Sequence, residues 1–582
     1  MILVSNEKIA EYTELGWWGT TTIWDLFQSN KEQFPESIAV VDASNRSSFM
    51  SGEPQRLTWQ QLADQVDFFT RSLLENGIKK DDVIVVQLPN CIEQYIVYLA
   101  CARLGVIVSP VPAQYRKHEL LQILKITDAV AVMTCHRIGA LERHYNPVDL
   151  FAEIISSQET SLEKIFSIDT ACSDKAIDVS ATKKSKITDK DRDLFDWYER
   201  KNPVTANDVF SICWTSGTES FPKGIPRSHN EWLVVVPSMT EGGGLERHCR
   251  ILNPFPLVNM AGISLSFMGW LQLCATVYQH NPFDLDVFLD QIRKEKIQYT
   301  LAAPTILAKL LKNDSLLEGV DFSILKKIGS GSAPLSEWIV AGFLNRYGVQ
   351  IVNHFGSNEG AGFTGSPEDI PDPGLRAKYF PRAGVVGYEW HISTTKKIKT
   401  KLVDPVTGEV ITEKNKPGEM YYKGPNIFSG YYKNPEMTQR AFDSEGYYKL
   451  GDLFQIAGDN SEYYQYVGRC KDLVIRGGVN ISAQELEGII SEHEAVLDVG
   501  IVGVPDEVLG EKVCACIVPK KEGMDFNEIK QFMRNEKQVA PFKIPEHILV
   551  MDALPRNPVG KLVKSTLRQY AIEHLGVSKE LI

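Results

Sequence analysis

Cysteine, positive charge and long hydrophobic runs are all scarce in this sequence of 582 residues. The ten cysteines are scattered without the CxxC spacing of a zinc site. The closest pair, Cys514 and Cys516, lies in a strand-like run with no histidine nearby. We therefore expect buried free thiols rather than metal ligands at these positions.

The charge balance is acidic, with 74 Asp and Glu against 62 Lys and Arg and a net charge of −12. Nucleic-acid binding requires clustered Lys and Arg, so we expect no DNA or RNA partner. The N-terminus lacks a basic segment followed by an apolar core, and no stretch reaches the roughly 18 apolar residues of a membrane span. We expect no membrane insertion and a cytoplasmic location.

The length of the chain exceeds what one hydrophobic core supports, so several subdomains are expected. Helix-like and strand-like patterns alternate, which predicts βαβ units and parallel sheets. The first series comprises a capping box at 58–61, a strand at 83–88, a helix at 91–104, a strand at 106–110, a helix from Lys117 and a strand at 129–134. The alternation resumes over residues 251–347, which predicts a second doubly wound sheet. The polar interval 156–207 is expected to cover a surface.

The pattern changes after about residue 384. Short runs separated by Gly, Pro and Asn over 384–454 predict an antiparallel, β-barrel-like subdomain. Ser482 and Glu485 then form a capping box before two strand-like runs, which predicts a small α+β domain. The predicted fold is α/β: a large N-terminal domain (1–470) of two doubly wound α/β subdomains plus the β-barrel-like subdomain, and a small mobile α+β C-terminal domain (471–582).

A turn rich in hydroxyls and glycine follows the apolar run 209–214. It places Thr215, Ser216, Gly217 and Thr218 before Lys223. Such a turn can aim backbone N–H groups and hydroxyls at phosphate oxygens, with the lysine as a point charge. It is not the P-loop of NTPases, because a proline rather than a glycine precedes the lysine. Taken by itself, this segment is equally well interpreted as a surface turn.

Five further motifs follow in a fixed order: Gly-Ser-Ala-Pro (331–334), Phe-Gly-Ser-Asn-Glu (355–359), Leu-Gly-Asp-Leu (450–453), Gly-Arg-Cys-Lys-Asp (468–472) and Asn-Pro-Val-Gly-Lys (557–561). Together with the turn, this series resembles the adenylate-forming, AMP-binding superfamily of acyl-CoA synthetases, peptide-synthetase adenylation domains and luciferases. The resemblance covers nearly the whole chain. It implies that a carboxylate attacks the α-phosphate of ATP to give acyl-AMP and pyrophosphate, and that a thiol then displaces AMP.

The resemblance also implies a role for each matched residue. The loop 215–223 covers the β- and γ-phosphates. Glu359 holds Mg²⁺, for which a carboxylate oxygen is suited. Lys561 bridges the carboxylate and the α-phosphate in the adenylating conformation. The remaining nucleotide contacts come from Gly331, Ser332, Ala333, Pro334, Phe355 and Gly356 around the adenine, from Asn358 at the phosphate, and from Asp452 and Arg469 at the ribose.

For the thiol step, the resemblance implies that the C-terminal domain rotates about a hinge at Lys471. Gly477 and Gly478 would then flank a tunnel for pantetheine, because a backbone without side chains lets a thin thiol arm pass. A plain β-turn explains Gly478 equally well. Glu219 departs from the family pattern, and its carboxylate would repel the triphosphate unless it points away or pairs with a cation.

The segment 254–262 contains no acidic residue, which disfavours an α-amino acid substrate, since its buried ammonium would lack a partner. Asn259, Met260 and Ile263 predict a moderately apolar acyl pocket with one polar group. We therefore expect an ATP- and Mg²⁺-dependent acyl-CoA ligase for a cyclic, aromatic or medium- to long-chain carboxylic acid. Coenzyme A is favoured because no carrier domain follows in the sequence. Two alternatives stay open: an aryl- or fatty-acid–AMP ligase that loads a carrier protein, and a non-catalytic relic that binds AMP or acyl groups.

Overall fold

The computed structural model describes residues 1–140, 142, 144–169, 175–180, 186–215, 222–477, 479–520, 525–556 and 562–577. The chain divides into two compact units. The large unit comprises residues 1–399 and 423–448, and the small unit comprises residues 400–422 and 449–582. The domain boundary expected at residue 470 stays a prediction; residues 449–470 group with the C-terminal residues in this division.

The strands are, in chain order, β1 (Ile38–Val41), β2 (Arg56–Thr58), β3 (Val83–Val86), β4 (Ile107–Pro110), β5 (Ala131–Thr134), β6 (Lys164–Ser167), β7 (Ile177–Asp178), β8 (Val209–Thr215), β9 (Lys223–Ser228), β10 (Arg250–Asn253), β11 (Thr276–Gln279), β12 (Tyr299–Leu301), β13 (Lys327–Gly331), β14 (Gln350–Gly356), β15 (Gly362–Gly365), β16 (Tyr379–Pro381), β17 (Lys399–Val403), β18 (Val410–Ile411), β19 (Gly418–Lys423), β20 (Tyr448–Ala457), β21 (Tyr463–Arg469), β22 (Leu473–Arg476), β23 (Val479–Ser482), β24 (Val496–Asp506), β25 (Gly510–Pro519) and β26 (His547–Val550).

The α-helices are α1 (Asn6–Glu14), α2 (Ile23–Gln33), α3 (Arg46–Phe49), α4 (Trp59–Glu75), α5 (Ile92–Leu104), α6 (Lys117–Thr127), α7 (Pro147–Ser157), α8 (Asp189–Lys201), α9 (His229–Leu233), α10 (Val236–Gly243), α11 (Met260–Ile263), α12 (Trp270–Leu273), α13 (Leu285–Lys294), α14 (Pro304–Lys312), α15 (Glu337–Tyr347), α16 (Pro373–Lys378), α17 (Pro435–Ala441), α18 (Ala483–Ser491), α19 (Phe526–Gln531) and α20 (Lys564–Leu575). Within the described ranges, every helix is too short or too polar to cross a membrane.

The large unit contains two predominantly parallel sheets. In the first, the strand order is β7-β6-β5-β3-β4-β8-β9, with β9 antiparallel at the edge. In the second, the order is β15-β14-β13-β12-β10-β11-β1-β2, with antiparallel strands at both edges. This topology confirms the two doubly wound sheets. In such sheets, ligands bind beyond the carboxyl ends of the strands. The loops at these ends are therefore the candidates for a functional site.

Local sequence signals explain several element boundaries. The side chain of Thr58 accepts the N–H of Gln61, and the side chain of Gln61 accepts the N–H of Thr58, so the expected capping box begins α4. Helix α5 ends at Gly105, whose φ of +70° places it in the left-handed region. Each of these signals involves residues no more than one helical turn apart. The sequence alone is therefore sufficient to locate them.

Two expectations for the large unit need correction. The polar interval 156–207 does more than cover a surface, since β6 and β7 within it extend the first sheet and Phe166 is fully buried. The segment after the predicted phosphate turn, for which no strand was expected, is also a strand, because β9 begins at Lys223 and forms a hairpin with β8. Strands β6, β7 and β9 have only 4, 2 and 6 residues, so periodicity does not reveal them.

One hydrophobic core lies between the two sheets of the large unit. Trp59 stacks on Trp270 with ring centroids 4.7 Å apart, and both rings are fully buried. Val86 of the first sheet and Val277 of the second belong to the same cluster. Buried aromatic rings contribute large apolar areas, so this cluster fixes both sheets against the intervening helices.

The small unit is mainly antiparallel. The pairs β17–β18 and β20–β21 confirm the antiparallel segment expected after residue 384. The C-terminal sheet has the order β23-β22-β25-β24, with β26 parallel to β25. Ser482 caps α18 by accepting the N–H of Glu485, but the Glu485 carboxylate pairs with Lys543 at 2.8 Å instead of completing the expected capping box.

Candidate active site

The β8–β9 hairpin carries the phosphate turn. Thr215 and Lys223 are cross-strand partners at its end. Ser216, Gly217, Thr218 and Glu219 lie outside the described residues. The backbone carbonyl of Trp214, next to Thr215, accepts a hydrogen bond from the Asn358 amide at 3.2 Å. The hairpin is therefore hydrogen-bonded to the Phe-Gly-Ser-Asn-Glu motif.

The Asn358 side chain connects three candidate segments of the large unit. Its amide nitrogen donates to Trp214, and its oxygen accepts the backbone N–H of Met260 at 2.8 Å. An amide has two N–H donors, so a second one suits a phosphate oxygen. The predicted phosphate contact is thus compatible with the position of Asn358, although its main observed role is to join the hairpin to the acyl-pocket segment.

Glu359 is nearly buried, with 8% exposure. Its Oε1 accepts a hydrogen bond from the Tyr431 hydroxyl at 3.2 Å, and the Tyr448 hydroxyl lies 3.4 Å from that of Tyr431. The Tyr431 ring also lies against Lys223, whose Nζ is 5.6 Å from the ring centroid. Burial, followed by the nearby Glu359 carboxylate, raises the pKa of both tyrosines above the ordinary value, so both hydroxyls stay protonated as donors.

Buried polar contacts hold the turn that carries Glu359. The fully buried Arg227 donates to the backbone carbonyls of Asn358 at 3.2 Å and Asn426 at 3.0 Å. The Asn426 amide in turn donates to the Gly360 carbonyl at 2.7 Å. Gly360 has φ of +110°, and a Cβ there would lie 1.8 Å from the Asn426 carbonyl oxygen. Only glycine fits this position.

The Gly-Ser-Ala-Pro and Phe-Gly motifs lie side by side at one sheet edge. Gly331 ends β13 and pairs with His354 of β14, one residue before Phe355. A Cβ on Gly331 would lie 2.5 Å from the His354 carbonyl oxygen, so the close approach requires glycine. Ser332 has φ of +71°, and Ser332, Ala333 and Pro334 are exposed beyond the strand. Exposed, strained backbone at a carboxyl edge is typical of a ligand site.

His354 is a partly buried histidine beneath these two motifs. Its Nδ1 lies 3.1 Å from the Thr364 hydroxyl oxygen, and its Nε2 lies 3.2 Å from the Tyr299 hydroxyl oxygen. Burial lowers the pKa of His354 to about 4. The ring is therefore neutral at physiological pH and contributes hydrogen bonds rather than charge.

Two neutral histidines with lowered pKa values predict a loss of stability in acid. Burial also lowers the pKa of His229 to about 4, and its Nδ1 accepts the N–H of Ile23. Because the unfolded chain binds more protons below about pH 6.5, each ring should cost up to about 3 kcal/mol of unfolding free energy as the pH falls towards about 4.

Urea titrations at about pH 7 and about pH 5 measure this loss. His229→Gln should flatten the pH dependence by about one proton, with the same change at exposed His118 as the control. An unchanged slope in the His229 variant would contradict the assignment.

The segment predicted to line the acyl pocket leads into α11. Asn259 caps this helix, since its Oδ1 accepts the N–H of Gly262 at 3.3 Å. Met260 lies beside the Phe-Gly motif, because a Cβ on Gly356 would be 4.0 Å from its Cγ. Ile263 is fully buried in the core. The structure thus brings Met260 to the candidate site, while the pocket roles of Asn259 and Ile263 stay predictions.

The two residues predicted to contact the ribose belong to the small unit and pair with each other. Asp452 of β20 and Arg469 of β21 are cross-strand partners. The Asp452 Oδ1 lies 3.2 Å from the Arg469 Nε and accepts the Tyr466 hydroxyl at 3.2 Å. Asp452 is 5% exposed. This arrangement orients a carboxylate, which has the two acceptor oxygens needed for a pair of vicinal hydroxyls.

The hinge and tunnel candidates are also in the small unit. Lys471 is exposed in a short 3₁₀ turn, Cys470–Asp472. Gly477 has φ of +57° and donates its N–H to the Leu509 carbonyl at 2.6 Å. Gly478 and Lys561 lie outside the described residues. Their roles stay predictions.

The motifs predict no role for four residues that contact these candidates: Arg227, Tyr431, Tyr448 and Tyr466. Arg227 stands four residues after Lys223, so its position was a usable signal. The three tyrosines carry no periodic or motif signal, because Tyr431 and Tyr448 approach Glu359, and Tyr466 approaches Asp452, only within the folded unit to which each belongs.

Glu359 also meets the requirements of a magnesium ligand. Across the described ranges, no group of three or more His, Cys, Asp and Glu could hold a metal alone. Mg²⁺ is commonly bound by one or two carboxylates together with substrate phosphates and water. A single oriented carboxylate beside a phosphate turn fits that coordination.

Comparisons with known proteins identify the family of this chain. The AMP-binding enzyme family model matches residues 27–432, and the AMP-binding enzyme C-terminal domain model matches residues 485–561. A medium-chain fatty-acid–CoA ligase of Escherichia coli is 28% identical over 582 residues, covering 98% of this chain and 94% of that protein. A vibriobactin-specific 2,3-dihydroxybenzoate–AMP ligase of Vibrio cholerae is 26% identical over 583 residues, covering 96% of each chain.

A solved structure shares the fold. The o-succinylbenzoate CoA synthetase of Bacillus subtilis, in complex with its acyl-adenylate intermediate, superposes with a TM-score of 0.74 at 22% identity, covering 94% of this chain and 98% of that one. The first family model alone matches more than half of the sequence. The chain therefore belongs to the adenylate-forming family of AMP-binding enzymes.

Proposed function

We propose that the protein is an ATP-dependent acyl-CoA ligase, which converts a carboxylic acid to acyl-AMP with release of pyrophosphate and then transfers the acyl group to coenzyme A. The observation that carries the proposal is the convergence of Lys223, Asn358 and Glu359 at the end of the β8–β9 hairpin. The E. coli relative, named as a fatty-acid–CoA ligase, supports the same reaction.

The first step is mainly electrostatic, because an anionic carboxylate must approach an anionic phosphate. Lys223 and the hairpin backbone would hold the β- and γ-phosphates, and the second N–H of Asn358 would donate to the α-phosphate. Glu359 would hold Mg²⁺, which neutralises phosphate charge when bound. Lys561 is proposed to bridge the incoming carboxylate and the α-phosphate, and Asp452 to accept the ribose hydroxyls.

The second step requires access for a thiol. Rotation of C-terminal residues about Lys471 would bring Gly477 and Gly478 beside the pantetheine arm. The backbone of Gly477, already in the left-handed region, would present no side chain to that arm.

The substrate is proposed to be a cyclic, aromatic or medium- to long-chain acid. Met260 contributes apolar surface beside Gly356. Because the Asn259 oxygen already caps α11, its amide nitrogen is the group best suited to donate to a polar atom of the acid.

Acid-dependent AMP release with ATP and Mg²⁺ tests the proposal. Straight-chain, cyclic and aromatic acids are each assayed with and without coenzyme A, and we expect coenzyme A to accelerate AMP release and an acyl-CoA to appear. Formation of acyl-AMP without any effect of coenzyme A would instead favour loading of a carrier protein, an alternative prompted by the dihydroxybenzoate–AMP ligase relative. Absence of ATP–pyrophosphate exchange with every acid would contradict both.

A further inference from the structure

We propose that Tyr431 is a positioning residue that holds the magnesium ligand and the phosphate lysine together for Mg·ATP binding. Its hydroxyl donates to Glu359 Oε1 at 3.2 Å, and its ring lies 5.6 Å from the Nζ of Lys223. A single side chain thus contacts both groups. The inference rests on the proposed function, in which Glu359 binds Mg²⁺.

The surroundings of Tyr431 fix its ring. Its N–H donates to the Thr438 hydroxyl at 2.9 Å. Its ring meets that of the fully buried Phe428 edge-on, with centroids 4.9 Å apart. Phe428 in turn donates its N–H to the Glu359 carbonyl at 2.9 Å. The backbone and the side chain of Glu359 are therefore held by the same short segment, residues 428–431.

The two contacts suit their partners chemically. A carboxylate has about four lone-pair sites, so one hydrogen bond from a phenol orients it and leaves acceptor capacity for a metal ion. An aromatic face attracts an ammonium without adding an opposing charge, so the full charge of Lys223 stays available to phosphate. A carboxylate in place of the ring would neutralise that charge.

Variants of Tyr431 separate these two contacts. Tyr431→Phe removes the hydroxyl and keeps the ring, whereas Tyr431→Leu removes both. Tyr432→Phe removes a hydroxyl from the adjacent residue and serves as the matched control. Binding of ATP is measured by calorimetry without any acid, once with Mg²⁺ and once with a chelator.

We expect Tyr431→Phe to bind Mg·ATP roughly tenfold more weakly while binding metal-free ATP like the wild type, because a hydrogen bond to a charged group is lost. Tyr431→Leu should weaken binding of both forms, and Tyr432→Phe should weaken neither. Unchanged Mg·ATP binding by Tyr431→Phe, or an equal loss for both forms of ATP, would overturn the proposal.

Thermal unfolding without ligand verifies that each variant is folded. If Tyr431→Phe is not, Tyr448→Phe provides the same test, because its hydroxyl lies 3.4 Å from that of Tyr431. We expect a smaller loss that is again confined to Mg·ATP, and wild-type binding would overturn the proposal. Since the assay contains no acid, failure of acid activation would leave this result standing. A wild-type protein whose ATP binding ignores Mg²⁺ would overturn both the metal role of Glu359 and this inference.

Discussion

Glu359→Gln is expected to lower acid-dependent ATP–pyrophosphate exchange by on the order of a hundredfold to a thousandfold, the usual cost of removing one preorganised electrostatic group. The substitution keeps the size of the side chain, and its amide oxygen can still accept the Tyr431 hydroxyl. What is lost is the negative charge that a divalent cation requires. The measurement is exchange of radiolabelled pyrophosphate into ATP with the best acid.

A matched control is available in the same large unit. Glu436 is exposed in the first turn of α17, so Glu436→Gln should leave exchange unchanged. Unfolding curves should be alike for both variants. Exchange by Glu359→Gln within about threefold of the wild type would remove Glu359 from the metal site, because a direct ligand contributes far more.

Gly360→Ala is expected to cost about 4 kcal/mol of unfolding free energy in the large unit, or to prevent soluble expression. Its φ of +110° is unfavourable for any other residue, and the new Cβ would lie 1.8 Å from a backbone oxygen of Asn426. Backbone atoms yield less readily than a flexible side chain. The contacts that hold the Glu359 turn should therefore be broken. Urea unfolding, followed by tryptophan fluorescence, measures the effect.

Gly77→Ala separates backbone strain from steric clash. Gly77 has φ of +73°, and an added Cβ would meet nothing within 4 Å. Its cost should be about 1 to 2 kcal/mol, the ordinary penalty for a left-handed residue. Equal unfolding midpoints for the two variants would show that no clash occurs at Gly360.

Local chemistry explains what could be predicted from the sequence. The motifs around Thr215, Gly331 and Glu359 are short, and each contains the residue types that phosphate or metal binding needs. The alternation of helix and strand likewise appears within windows of a few residues. Both kinds of signal can be recognised in a single sequence. The alternation of helix and strand predicts the two parallel sheets.

The contacts between motifs could not be predicted in this way. Tyr431 stands 72 residues from Glu359, and Arg227 stands 131 residues from Asn358. These contacts depend on how the sheets and loops pack. In the sequence alone, a tyrosine or an arginine at these positions is equally consistent with an exposed side chain. Asn259 is the opposite case. Its sequence context predicts a polar role in the pocket, whereas in the structure its side chain caps α11. Any Asn before a short helix could form such a cap.

The path of the chain between the two units has a consequence for biosynthesis. Residues 423–448, which supply Asn426, Phe428 and Tyr431, belong to the large unit but follow residues 400–422 of the small unit. On the ribosome, residues 400–422 of the small unit therefore emerge before residues 423–448, which complete the large unit. Residues 400–422 cannot pack within the small unit until the chain from residue 449 onwards has been synthesised. The carboxylate proposed to bind magnesium thus receives its tyrosine only late in translation, when nearly three quarters of the chain has been made.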